Sequence, residues 1–301
     1  MISLTKFFNP EEDIKVMKCT EDLEKYLKKN NQSLENTYWS PKIDGVRTWI
    51  VSDSLTSIKY YSRNKKEFLN FNIFDNIVKK LISFLNKEYR LRFPIIIDCE
   101  AAAKTGELNK IMTQLRRLNE INPDIFVLHI FDIVLPGTPF ERRHQMIKDF
   151  FSKKENQYDN VFRLPYEKLE NDNTKYLLNL RDNMIKQGYE GLVIRSGDSE
   201  YELGKRSTSC AKMKTYKSIE LKCIEIIKAK EKTKIAGKMA ALVCIHNGKK
   251  IIVGSGFTDK EREEFSKNPP IGEWIEVKYT SENPSGYLRE PIFLKIRQDI
   301  K

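Results

Sequence analysis

The chain has 301 residues, 40% of them apolar, and 53 Lys+Arg against 42 Asp+Glu leave a formal net charge of +11 and a pI near 9.2. That length and apolar content support a globular protein and allow one large domain or a large domain plus a smaller one. The excess of cations points to a polyanionic partner, most simply nucleic acid, although a solvated lysine-rich surface gives the same balance. Five scattered cysteines without C-x-x-C spacing indicate neither a zinc site nor a disulfide framework. The start, Met1 to Pro10, lacks the apolar core of a signal peptide, and no run approaches membrane-spanning length. A soluble, intracellular protein in a reducing compartment is expected.

Residues 21–29 read as a short helix. After an Asn-rich loop comes Pro41-Lys42-Ile43-Asp44-Gly45-Val46-Arg47, which sets a lysine, an acid, a glycine and an arginine beside the β-prone run Thr48-Trp49-Ile50-Val51. Residues 57–63 read as a strand that brings Ser62 and Arg63 to its end, where ligand-binding loops tend to sit. Ile73, Ile77, Leu81 and Leu85, joined by Phe74, Val78 and Ile82, recur at helical spacing and predict an amphipathic helix on a core.

In the strand predicted over 94–100, the period of two puts Asp98 and Glu100 on one face, opposite Ile97 and Cys99. Two carboxylates so placed suit a hard cation. Residues 125–134 are nearly all apolar and read as a strand buried on both faces, with Phe131 and Asp132 pointing opposite ways. A helix over 174–187 ends at Gly188, and a short strand over 190–195 opens with an acid, Glu190. In Ala211-Lys212-Met213-Lys214 an extended backbone puts both lysines on one face.

Beyond Lys217 the texture changes to short β-runs at about 219–229, 238–246, 250–256, 274–280 and 292–297, with a charged helical piece at 258–266 between the third and fourth. Five strands with a helix after the third is the order of an OB-fold barrel. The boundary near 217 gives domains 1–217 and 218–301.

Taken in chain order, these stretches resemble the covalent nucleotidyltransferase superfamily, most closely the minimal ATP-dependent DNA ligases of viruses and phages. The matches are the Lys42-Ile43-Asp44-Gly45-Val46-Arg47 stretch, Ser62-Arg63, Asp98-Cys99-Glu100, Phe131-Asp132, Glu190-Gly191 and Lys212-Met213-Lys214. Arg289-Glu290-Pro291-Ile292-Phe293-Leu294-Lys295-Ile296-Arg297 looks like the R-x-P-x-F-x-x-x-R element of DNA ligases. The resemblance implies an α+β fold: an ATP-grasp-like nucleotidyltransferase core of two packed antiparallel sheets with helices, followed by a C-terminal OB-fold β-barrel. It also implies a monomer that uses ATP and Mg²⁺ to seal 5′-phosphate/3′-hydroxyl nicks in duplex DNA, in replication, repair or recombination, through lysyl-AMP and a DNA-adenylate.

The resemblance assigns roles as well. Lys42 would attack the α-phosphorus of ATP after losing its proton, helped by neighbouring cations. Arg47 and Arg63 would contact ribose or phosphates, and Glu100 and Glu190 would hold Mg²⁺ or the ribose hydroxyls. Phe131 would stack on adenine, while Lys212 and Lys214 would neutralise the phosphates. Ser62, Arg63 and Arg206 would meet nucleic acid. Arg297, joined by Arg289 and Lys295, would orient the pyrophosphate leaving group, and the domains would hinge near Ser218.

No nicotinamide-binding domain fits before Lys42, which favours ATP over NAD. Only about residues 230–237 lie between the first two OB strands, a short segment for the DNA-encircling latch that some minimal viral ligases insert there, and without that latch duplex binding rests on basic faces. The competing readings are an RNA ligase or an mRNA-capping guanylyltransferase, which share the K-x-D-G-x-R lysine, and a non-catalytic OB-fold nucleic-acid-binding protein.

Overall fold

A computed structural model describes residues 15–104, 122 and 124–299, so the reading of the first ten residues lies outside the described residues. The chain divides into two compact units, Met1–Met213 and Lys214–Lys301.

The strands of the first unit are β1 (Lys18–Thr20), β2 (Thr37–Pro41), β3 (Gly45–Ser52), β4 (Ile58–Ser62), β5 (Ile95–Ala103), β6 (Phe126–Ile133), β7 (Val161–Arg163), β8 (Glu167–Lys168), β9 (Gly191–Ser196) and β10 (Arg206–Lys214), the last ending at the unit boundary. Among the described residues its helices are α1 (Leu23–Lys29), α2 (Asp75–Tyr89), α3 (Phe140–Phe151) and α4 (Thr174–Lys186). The strands form two five-stranded sheets, β1-β10-β9-β2-β8 and β4-β3-β5-β6-β7. Two sheets were expected, but each is mixed: β1 runs parallel to β10, and β7 parallel to β6.

Local chemistry explains the long elements. β3 is rich in β-branched and aromatic residues, and its run from Thr48 to Ser52 is buried throughout. α2 turns Ile77, Val78, Leu81, Ile82 and Leu85 onto one buried stripe, packed in the same core as Ile50, Ile97 and Leu128 of the second sheet. Each such side chain contributes about 1.5–3 kcal/mol by leaving water. Asp22 caps α1 by accepting from the Lys25 N–H at 3.1 Å. α4 stops at Gly188, whose φ of +93° is open to glycine. α3 has no counterpart among the expected elements, because its buried face includes Arg143 and His144 and so breaks the apolar period.

The second unit holds β11 (Lys217–Lys228), β12 (Met239–His246), β13 (Lys249–Val253), α5 (Asp259–Lys267), β14 (Trp274–Tyr279), a small β15 (Ser281–Glu282) and β16 (Leu288–Arg289) hairpin, and β17 (Ile292–Ile296). Thr258 and Glu261 close a capping box at the start of α5. The sheet order is β13-β12-β11-β14-β17 around Leu221, Leu242, Val253, Ile275 and Phe293. The expected closed barrel is not formed by ladders. The two ends of the order meet at a single parallel bridge, Ser255 to Ile292, with the Phe293 N–H donating to the Ser255 carbonyl at 2.9 Å.

The cysteines depart from the expectation of no disulfide. Cys19 and Cys210, 191 positions apart, are bonded to each other. Their chain separation hides a pairing that the adjacency of β1 and β10 creates. Cys99, Cys223 and Cys244 are free and buried. Among the described residues no helix is long and apolar enough to cross a membrane.

Candidate active site

Lys42 lies in the short connection by which the chain leaves β2 in one sheet and enters β3 in the other. Its backbone is pinned on both sides: its N–H donates to the Gly191 carbonyl at 2.9 Å, and its carbonyl accepts from the Glu190 N–H at 3.1 Å. The ammonium ion-pairs with the Glu190 carboxylate, both side chains being largely covered at 16% and 15% exposure. Gly45 makes this turn possible. A Cβ there would stand 2.5 Å from the Ala101 carbonyl oxygen and 2.8 Å from the Glu100 Cγ, so β3 can approach β5 this closely only without a side chain.

Arg47 stands opposite Glu100 in the β3–β5 ladder and reaches diagonally to Asp98. Its Nε donates to Asp98 Oδ1 at 2.9 Å and its Nη2 to Oδ2, while the Tyr201 hydroxyl donates to the same Oδ2 at 2.6 Å. Burial alone would discourage the Arg47 charge, but Asp98 outweighs it and strengthens the guanidinium's hold on its proton. Asp98 in turn faces Asp132 across β5 and β6. Two acids opposite each other need counterions. Asp132 accepts from Arg143 Nε at 2.8 Å, from Arg143 Nη2 at 3.1 Å, and from Arg195. Burial pushes the Asp132 carboxyl up, yet the two arginines hold it below the usual range.

Glu100 behaves differently. Burial pushes its pKa to about 7, and the nearby Asp98 adds to that, against the pull of Lys42, Arg47 and Lys212. Lys42, Arg47, Asp98 and Lys212 thus gather around Glu100 as a cluster of charges that act on its carboxyl.

A β-bulge aims Phe131. The register pairs Asp98 with Asp132 and then Cys99 with Ile130, which leaves Phe131 as the extra residue. It is half-buried, packed with Ile43 and Tyr38 against the Phe140–Leu164–Tyr166 cluster, and the Arg47 guanidinium carbon lies 5.4 Å from its ring centroid.

The remaining sequence-predicted residues lie elsewhere. Ser62 closes a tight turn, its hydroxyl accepting from the Lys66 N–H at 3.0 Å, and Arg63 is exposed in that turn. Arg206 is exposed but donates to the Cys19 carbonyl at 3.0 Å. Lys214 pairs with Glu290 at 2.9 Å. In the second unit Arg289 lies in β16, Lys295 pairs with Glu276, and Arg297 is surrounded by Glu220, Glu276 and Asp299.

Among the described residues no group of three or more His, Cys, Asp or Glu side chains is arranged to hold a metal by itself. Glu100 and Glu190, both beside Lys42, offer hard carboxylate oxygens of the kind Mg²⁺ uses when phosphates and water complete its shell. That donor chemistry fits. No motif marks Tyr201, Arg143 or Arg195, because each reaches its acid across 11–103 positions of sequence. The signal in the sequence is an arginine directly after the apolar run Leu192-Val193-Ile194 of β9.

The site can be set beside known proteins. The curated DNA ligase of Haemophilus influenzae is 27% identical over 256 residues, covering 84% of this chain and 87% of that one. A DNA ligase of African swine fever virus is 27% identical over 218 residues, and the match spans about half of that longer protein. Solved structures share the fold: a protein titled Pmar-Lig_PreS3 at TM-score 0.74 and 23% identity, covering 94% of this chain and 68% of that one, and a Lig E DNA ligase at 0.68 and 20%, covering 94% and 98%. A model described as DNA ligase OB-like domain matches residues 231–297. A second, described as ATP dependent DNA ligase domain, matches residues 15–214, well over half of the chain and every residue of the Lys42 cluster, and the chain belongs to that family.

Proposed function

We propose that this chain seals 5′-phosphate/3′-hydroxyl nicks in duplex DNA, using ATP, by three nucleotidyl transfers through Lys42. The observation that carries this is the position of Lys42 between the two sheets, paired with Glu190 and sharing one charge cluster with Arg47, Glu100 and Lys212. In the first transfer a bond forms between Lys42 Nζ and the α-phosphorus of ATP, and the bond to pyrophosphate breaks. The ammonium must first give up its proton, and the Glu190 carboxylate in contact with it is the acceptor at hand. In the second transfer the AMP passes to the DNA 5′-phosphate. In the third the 3′-hydroxyl displaces AMP and the backbone is closed.

Phe131 offers its ring to adenine. Arg47 and Arg63 take ribose or phosphate oxygens, and Lys212 and Lys214 spread positive charge where the transferring group is most anionic. Glu100 and Glu190 would hold Mg²⁺, which supplies charge neutralisation at the phosphates. Ser62, Arg63 and Arg206 serve the DNA, and Arg297, with Arg289 and Lys295, orients the pyrophosphate. We place the domains at 1–217 and 218–301, with a hinge near Ser218, in a monomer.

Incubation with α-labelled ATP or GTP tests this. ATP should label the protein at Lys42, Lys42→Ala should abolish both labelling and sealing of nicked DNA, and labelling by GTP in place of ATP would overturn the reading.

A further inference from the structure

Every nitrogen of the Arg297 guanidinium has a carboxylate neighbour. Nε and Nη2 donate to Asp299 at 2.8 and 2.7 Å, and Nη1 contacts Glu220 at 2.5 Å and stands 3.8 Å from Glu276. The three acids are not equivalent. Asp299 lies two residues further along the chain and moves with Arg297. Glu220 and Glu276 belong to β11 and β14, where they face each other directly in the ladder. Like charges directly opposite repel unless a cation lies near. Two cations serve: Arg297, and Lys295 at 3.5 Å from Glu276. The Arg297 backbone is fixed beside them by its N–H donating to the Trp274 carbonyl at 2.8 Å.

We propose that Glu220 and Glu276 are positioning residues that compete with pyrophosphate for the Arg297 guanidinium, so that expelled pyrophosphate is released and self-adenylation is not reversed. The inference rests on the reading of Arg297 as the leaving-group arginine. Its physical content is a competition for Nη1, because phosphate oxygens accept from guanidinium N–H groups as carboxylate oxygens do, and both acids face that nitrogen. When Arg297 turns to a phosphate, Glu220 and Glu276 are left opposed across β11 and β14, and Lys295, on the far side of Glu276, pairs with Glu276 alone. Their repulsion is relieved when Arg297 returns. A competing state of this kind reduces the apparent anion affinity to the fraction of molecules in which the guanidinium is free of the acids.

The test is a Glu220→Gln/Glu276→Gln double variant, which keeps side-chain size and removes the charge. Pyrophosphate should inhibit its self-adenylation at about three- to tenfold lower concentration, the range expected for two partly exposed ion pairs. Added pyrophosphate should also strip AMP faster from the pre-adenylated variant than from the parent protein, and both differences should shrink at high salt. Each single variant should shift in the same direction by less. Glu225→Gln removes a charge from β11 that pairs with Lys250 at 3.0 Å, and should leave pyrophosphate inhibition unchanged. If Arg297→Ala impairs self-adenylation but the double variant shows unchanged or weaker pyrophosphate inhibition, the competition is overturned and the role of Arg297 stands. If Arg297→Ala self-adenylates like the parent, the reading beneath the inference falls.

Discussion

His144 carries a pH dependence that follows from its surroundings. It is buried on α3, stacks on Phe140, and takes a hydrogen bond at Nε2 from Arg163 at 3.2 Å, so that nitrogen is unprotonated. Burial first, and the cations Arg163 and Lys148 next, lower its pKa to about 4, against the opposing pull of Asp132. His129, also lowered to about 4 by burial, behaves alike. With folded-state values below the unfolded value of about 6.5, the unfolded chain binds more protons between pH 6.5 and 4. The contribution of these two histidines is therefore complete above pH 6.5 and is lost as pH falls through that window, outweighing the single opposing gain from Glu100, whose raised pKa favours the folded state as it protonates. Thermal melting should decline from pH 7 to pH 5, and less steeply in His144→Phe.

Two further residue-level outcomes concern the pocket. Gly45→Ala forces a methyl group against the Ala101 carbonyl and the stem of Glu100, and should lower the melting temperature by several degrees, an overpacking cost of about 1–3 kcal/mol. Glu100→Ala and Glu190→Ala should each reduce Mg²⁺-dependent turnover, measured by titrating the metal. Unchanged metal dependence in both would argue against their role as ligands.

At the level of elements, the Cys19–Cys210 bond ties β1, the first described strand, to β10, the strand that presents Lys212 two residues later. The pairing of β1 with β10 is short and its register shifts after Cys19, so few backbone bonds hold it. The covalent link removes freedom from a long unfolded loop, where chain-entropy estimates reach several kcal/mol. Treatment with a dithiol reductant should lower the melting temperature by roughly 5–10 °C, and alkylation should then capture five thiols where the oxidised protein yields three. The Cys19→Ser/Cys210→Ser variant should melt at the reduced temperature whether or not reductant is present.

For the whole molecule, the chemistry is divided by position in the chain. The Lys42 cluster belongs to the first unit, and Arg297 with its acids to the second. If Arg297 serves only the leaving pyrophosphate, Arg297→Ala should impair self-adenylation more than sealing by pre-adenylated protein. Equal losses in the two assays would contradict that assignment.

The sequence by itself determined the strongly patterned parts. The apolar stripe of α2, the buried run of β6 and the order of strands in the second unit were legible because burial imposes a local period on the chain. The Lys42 stretch was legible because its residue types are rare together and its companions follow in order. Only the tertiary structure decided the rest. The period of two cannot show the bulge that turns Phe131 toward Arg47, nor can it reveal α3, whose core face buries an arginine and a histidine. The partners of Asp98 and Asp132, and of Cys19, lie up to 191 positions away and are brought together by strand adjacency. The closure of the second sheet was equally beyond pattern, because a single bridge and a ladder demand the same alternation of residues, and only the backbone path distinguishes them.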